Sequence, residues 1–284
     1  MPGRPHWWQW LTVLSFDAPL VALAWQSALA HGAGVTLHAH HRVILGAAVW
    51  LVYAADRWIE GWRLETGQIR TQRHLFYHRW RWPVAVIWSA VAVAALGLAV
   101  ARLTRAEFIS GLLLLVPVLV YLLSHQLAHR HLPWRAPKEI CVALLFAAGV
   151  MLFPWAADHH ILRGIALPLV LFGLLCLANC ALISLWEGEV DRTHGQTSLA
   201  LQFPEGAPLV HALPWVIAVL AAGATLRANA SLAPALSCAA ASGALLGAVD
   251  GAHRRIGRQL ARVLVDVALM TPWVPLAWAW LRAR

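Results

Sequence analysis

The sequence predicts an all-α protein, a multi-pass transmembrane helical bundle of about nine helices that fills residues 1–284 as a single domain. Three observations predict it. Hydrophobic residues make up 60% of the chain and charged residues only 12%, too few charges for an ordinary water-soluble surface. Apolar windows of about twenty residues, the length needed to cross a bilayer, recur from end to end. Fifteen of the 22 basic residues fall in alternate connections, beginning with the N-terminal segment, and the positive-inside rule reads that side as cytoplasmic. The same alternation accounts for the net charge of +9. It argues against nucleic acid as a partner, because the arginines are scattered over several short loops. The expected setting is a bacterial inner (cytoplasmic) membrane, with the N-terminus inside and membrane lipid as the surrounding partner.

The first span, roughly 10–30, opens on Trp7, Trp8 and Trp10, as an interfacial aromatic belt would. It lacks a basic leader and a convincing small-residue cleavage site, so it is expected to stay as a helix rather than be removed. Asp17 lies inside it, where a carboxylate needs a bundle interior or water; it reads either as a pocket residue or as a polar partner for another helix. The outer loop 31–42 holds four histidines, which read first as plain polar residues and second as a metal site. The second span, 42–59, ends in Asp56-Arg57-Trp58-Ile59-Glu60. The inner connection 61–82 that follows is long enough for a short helix of its own. Its arginines read as lipid-headgroup contacts, with one or two reaching a phosphate.

Spans three to five are expected at 83–101, 108–125 and 138–157. The fourth closes on Tyr121 and His125. His125 and His129 share a helix face, which also admits a haem or metal reading. Lys138, the chain's one lysine, opens the fifth span. The sixth, 164–185, carries Asn179, and spans seven to nine are expected at 209–226, 231–249 and 263–281. The eighth is rich in Ala, Gly and Ser, which favours close helix packing. The basic loop after it is amphipathic enough to lie on the inner leaflet. All four cysteines fall within spans and read as small apolar fillers.

Chemistry concentrates at two helix ends. The stretch 185–199 is the densest acidic cluster in the chain, with Glu187 and Asp191 four residues apart on one helix face and Glu189 between them. Asp56 and Glu60 repeat that spacing at the end of the second span, on the same expected side of the membrane. Two acidic pairs at neighbouring helix ends suit Mg2+, which takes oxygen ligands and binds through one or two carboxylates together with substrate phosphates. Nearby arginines would neutralise the rest of a diphosphate. If that diphosphate leaves from a prenyl chain, an allylic cation remains for an acceptor to capture, and the hydrocarbon tail lies among apolar helices.

These residues resemble the UbiA superfamily of intramembrane prenyltransferases, whose members have nine helices and aspartate-rich motifs on the second and sixth spans. Asp56, Arg57 and Glu60 match the second half of the first motif, while Tyr53 stands where its first aspartate is usual and Val52 where asparagine is. Glu187, Glu189, Asp191, Arg192, Gly195 and Leu199 match the second motif, with Ser198 in place of threonine. Tyr121 matches a tyrosine of the fourth helix, and His125 replaces the lysine four residues on. The resemblance implies Mg2+-dependent transfer of a prenyl group from a prenyl diphosphate to an aromatic or lipid-soluble acceptor within the membrane. Asp56, Glu60, Glu187 and Asp191 would be catalytic and hold metal, with Glu189 in support. Arg57, Arg192, His125, Lys138, Tyr121 and Asn179 would face the diphosphate. Two alternatives stand beside transfer: a terpene cyclase of the same family, or a degenerate member that only binds a lipid diphosphate or a partner.

Overall fold

The computed structural model describes residues 5–63, 71–124, 137–193 and 198–282, with residues 63, 190, 191 and 193 described in backbone only. Among the described residues every regular element is a helix. A 3-10 turn, Trp7–Gln9, leads into α1 (Trp10–Val13), α2 (Asp17–Gly32) and α3 (Ala39–Arg63). The short α4 (Gln72–Arg79) is followed by α5 (Arg81–Arg102), α6 (Arg105–Leu123), α7 (Lys138–Ala157) and α8 (Leu162–Thr193). The chain continues through α9 (Leu199–Gln202), α10 (Ala207–Thr225), α11 (Ala233–Ile256), α12 (Arg258–Ala268) and α13 (Trp273–Arg282).

Six of these helices are long and apolar enough to cross a membrane, and eight spans result if each of two bent pairs counts as one. The bent pairs are the expected first and last spans. α1 and α2 meet at 74°, and α12 and α13 at 50°. α3 occupies the place of the second span. Its 25 residues rise about 37 Å, enough to cross. His40, His41 and Arg42 at one end and Asp56, Arg57 and Glu60 at the other make it more polar than the rest.

The last span breaks in the turn at residues 269–272, which ends on Pro272, a residue with no amide hydrogen to give to a continuing helix. The first break and the turn that precedes α12 have local causes as well. Ser15 adopts a left-handed backbone, φ 59°, between α1 and α2, and Pro19 is tolerated because it falls in the first turn of the new helix. α11 and α12 are separated by Gly257, at φ 84° and ψ 149°, a region open essentially to glycine alone. The basic stretch expected to lie flat as one amphipathic loop is therefore divided between the last turn of α11 and the start of α12.

The long inner connection does carry its own helix, α4. Thr71 caps it by accepting from the His74 amide. Tyr77 is its buried anchor, 1% exposed.

α8 and α11 form the centre of the bundle: 56% and 50% of their apolar windows are buried, against 6% for α5 and α6, whose outer faces are left for lipid. Trp25 of α2 is fully buried, stacks on Phe172 of α8 with ring centroids 4.7 Å apart, and donates its indole N–H to the Leu269 carbonyl at 2.8 Å. That bond closes the first helix pair against the last. Where lipid replaces water, helix association rests on such bonds and on close van der Waals contact rather than on burial of apolar area.

The tightest contact is between α10 and α11. A Cβ at Gly243 would stand 2.7 Å from the Pro214 carbonyl oxygen, and one at Gly247 would stand 2.5 Å from the Trp215 ring. Gly243 and Gly247 are four apart on one face, the small-residue spacing that lets two membrane helices touch backbone to backbone. Gly243→Ala is expected to push α10 away and to cost about 1–3 kcal/mol, measured as earlier thermal unfolding in detergent.

Candidate active site

The ends of α3 and α8 both come against α4 at one end of the bundle, with α12 beside the end of α8. We refer to this region as the mouth and to α4 as its roof. At the end of α3 the Glu60 carboxylate meets His74 Nε2 of α4 at 2.7 Å. Burial pushes the His74 imidazole below its ordinary value, against the pull of the Glu60 carboxylate. At the end of α8 the Glu187 carboxylate accepts from the Arg262 guanidinium of α12 and lies 3.8 Å from Arg73 Nη2 of α4. Arg73 stands within electrostatic reach of Glu60 as well. One arginine of the roof thus pairs with the second acidic motif and acts on the first through its charge.

That arginine has donors to spare. Arg73 Nε and Nη1 are buried without a hydrogen-bond partner, and so is Arg262 Nε. Orphaned guanidinium donors between two acidic helix ends form a cradle for an anion with several acceptor oxygens.

Arg57, one residue past Asp56, turns away from the mouth into the bundle. It is 8% exposed, and its Nε donates to Ser15 Oγ at 3.2 Å. Tyr77 Oη shares a 3.0 Å bond with the same hydroxyl. Ser15 thus fastens the first break, the second span and the roof helix at one atom. Tyr53, where the resembled motif has its first acid, lies edge-on to Phe146 at 6.1 Å, and the Arg57 guanidinium stands 6.0 Å from its ring centre.

Around this core, Tyr121 at the end of α6 lies within electrostatic reach of Asp56 and Glu60, and Lys138 at the start of α7 within reach of Glu60. Glu189 and Arg192 are exposed on the last turns of α8. The Asp191 side chain, Gly195 and His125 lie outside the described residues. Asn179 is placed elsewhere than expected. It sits eight residues before Glu187, about 12 Å along the helix, and its amide donates to Asp266 Oδ1 at 3.1 Å and to the Val265 carbonyl at 3.5 Å. It ties α8 to α12 deeper in the bundle.

Asp17, read from the sequence as either a pocket residue or a polar partner, is 5% exposed and faces Asp266 of α12 electrostatically. Arg73, Arg262 and Ser15 were not singled out by sequence reasoning. A generic loop arginine carries no mark of which acid it will meet.

Among the described residues no group of three or more His, Cys, Asp or Glu side chains is gathered closely enough to hold a metal ion by itself. The donor chemistry nevertheless fits Mg2+. Asp56, Glu60 and Glu187 are hard oxygen donors at one mouth, and Mg2+ commonly takes one or two carboxylates plus substrate phosphates instead of an all-protein cage.

No family model matches the sequence, and no curated protein matches it. A solved structure does: the apo form of a UbiA homolog from Aeropyrum pernix K1 superposes with a TM-score of 0.58 at 17% identity, covering 92% of this chain and 98% of that one. The chain has a UbiA-type fold. The expected resemblance holds at the level of the fold, over almost the whole length of both chains.

Ser15→Ala tests the node beneath the mouth. It removes the acceptor of a buried arginine and the partner of a buried phenol, and is expected to cost about 1–3 kcal/mol in unfolding experiments in detergent micelles.

Proposed function

We propose that this protein transfers a prenyl group from a prenyl diphosphate to an aromatic or lipid-soluble acceptor within the membrane. The observation that carries the proposal is the roof arginine Arg73, which pairs with Glu187, lies within electrostatic reach of Glu60, and keeps two buried donors without a partner among the described residues. Arg73 and Arg262 would hold the diphosphate, with Lys138 and Tyr121 closing the α6–α7 side and Arg192 and His125 as further candidates. Mg2+ would be held by Asp56, Glu60 and Glu187, with Glu189 and Asp191 completing the α8 side. When bound it would neutralise charge on the leaving group.

In the transfer itself the bond from the prenyl C1 to the diphosphate oxygen breaks, and its electron pair departs with the diphosphate. A nucleophilic atom of the acceptor forms the new bond to C1, and the acceptor then loses a proton. The chain's part is to clamp the diphosphate so that C1 points away from the mouth, toward the apolar helices, and to exclude water from the cation.

One observation favours a second reading, a protein that binds a lipid diphosphate without turning it over. Tyr53 leaves the first motif one acid short, and Glu60 is engaged by His74.

Turnover of radiolabelled prenyl diphosphates, with and without Mg2+ and a lipid extract as acceptor, separates these readings. Asp191→Ala is expected to abolish diphosphate release with little loss of folded protein. Arg73→Gln is expected to lower kcat/KM for the donor about 10- to 100-fold, the worth of one or two charge-assisted hydrogen bonds. Full activity of Asp191→Ala would sink the assignment. Tight binding without release would leave a lipid-binding protein, and a labelled cyclic product formed without acceptor would make it a cyclase.

A further inference from the structure

The end of α8 serves two different places. Glu187 bonds toward α4 and α12, into the mouth. Trp186, on the adjoining face, lines a separate cavity of about 450 Å³ together with Leu185, His253, Arg254, Gly257 and Arg258. Its wall is aromatic: the Trp186 indole and the His253 imidazole stack 5.3 Å apart at 16°. The neighbouring carboxylate, Asp250, is already occupied at both oxygens. Oδ1 accepts from Trp186 Nε1 at 3.2 Å, and Oδ2 meets His211 Nδ1 at 2.6 Å.

The cations are left to face outward. Among the described residues Arg254 makes no ion pair, and Arg258 has only a 3.5 Å contact from Nη1 to the Trp186 carbonyl. Gly257 brings them to the same cavity, because its left-handed backbone turns the chain sharply between the last turn of α11 and the first residue of α12. α11 is a membrane-spanning helix, so its last turn lies at headgroup depth.

We propose that this cavity binds an anionic phosphate group at a site separate from the mouth. Two arginine forks facing one open cavity match the several acceptor oxygens of a phosphate, and the Trp186–His253 wall supplies the amphipathic surface found at the membrane interface. The headgroup of an acidic phospholipid and a soluble phosphate share this chemistry, and basic pockets between membrane helices at the interface are a known mode of binding for the former. The site does not depend on the transferase reading. It uses none of the residues assigned to the diphosphate or to Mg2+.

The test uses the full chain in detergent. Binding of phosphatidylglycerol, of zwitterionic phosphatidylcholine and of inorganic phosphate is measured by native mass spectrometry and thermal shift. Wild type is compared with the Arg254→Gln/Arg258→Gln double variant and with Arg163→Gln as a basic residue far along the chain. Arg254 and Arg258 are both exposed, so the fold should survive, and an unchanged melting temperature without ligand verifies it; Arg254→Gln alone serves if the double variant is unstable. We expect phosphatidylglycerol to bind wild type and Arg163→Gln alike and the double variant about tenfold more weakly, with phosphatidylcholine indifferent to all three. Loss of inorganic phosphate binding with phosphatidylglycerol unaffected would make the ligand a soluble phosphate. Equal binding of both anions to wild type and the double variant, or binding of neither to wild type, would overturn the site.

Discussion

A bilayer offers no water to a buried charge, so each carboxylate near the bundle interior has to find a cation or a proton within the protein. Most of the architecture at the mouth follows from that constraint. Glu60 on α3 is met by His74 on α4, and Glu187 on α8 by Arg262 on α12 and Arg73 on α4. The pairings of Glu187 join elements far apart in sequence, so neutralising that acid also assembles the site. The roof helix α4 is held down by these contacts and by Phe76 and Tyr77, which pack into a small apolar cluster with Ala54 of α3 and Val84 of α5.

The break in the first span and the turn between α11 and α12 have the same logic. An unbroken first helix would carry Ser15 through the membrane as one more residue on one face. The break exposes its hydroxyl to both Arg57 and Tyr77. At the other end of the chain, Gly257 separates α11, which belongs to the core, from α12, which must swing Arg262 onto Glu187. Trp25 then bonds to the Leu269 carbonyl and locks the first and last pairs together. Irregular backbone at membrane depth is tolerated only where protein surrounds it, and the first break is enclosed in this way: Ser15 is fully buried.

Much of this was legible in the sequence. Runs of apolar residues located the spans, since crossing a bilayer demands a length that few other structures need. The spacing of Asp56 with Glu60 and of Glu187 with Asp191 located the acidic helix ends, and the length of the connection at 61–82 foretold a helix there. The breaks were not legible, because averaging hydropathy over about twenty residues conceals a single residue such as Ser15 between apolar neighbours. Nor was the choice of cations: Arg73 and Arg262 look like any other loop arginine until the fold sets them beside an acid. Asn179 was misplaced for a related reason. A lone amide on the helix that delivers an acidic motif invites assignment to that motif, but eight residues of helix carry it down to Asp266.

Tyr53 puts an uncharged ring beside a buried arginine. A carboxylate at that position would lie one turn from Arg57 and serve as its natural partner. A phenol cannot supply the charge, yet Arg57 remains buried and its guanidinium stands over the Tyr53 ring. Asp17, at the start of α2 just after the first break, lies within electrostatic reach of Arg57. Arg57 itself bonds to Ser15 and is turned inward, whereas Arg73 of the roof keeps buried donors without a partner among the described residues. Of the two arginines nearest the acidic helix ends, the inward one is already committed and the roof one is not.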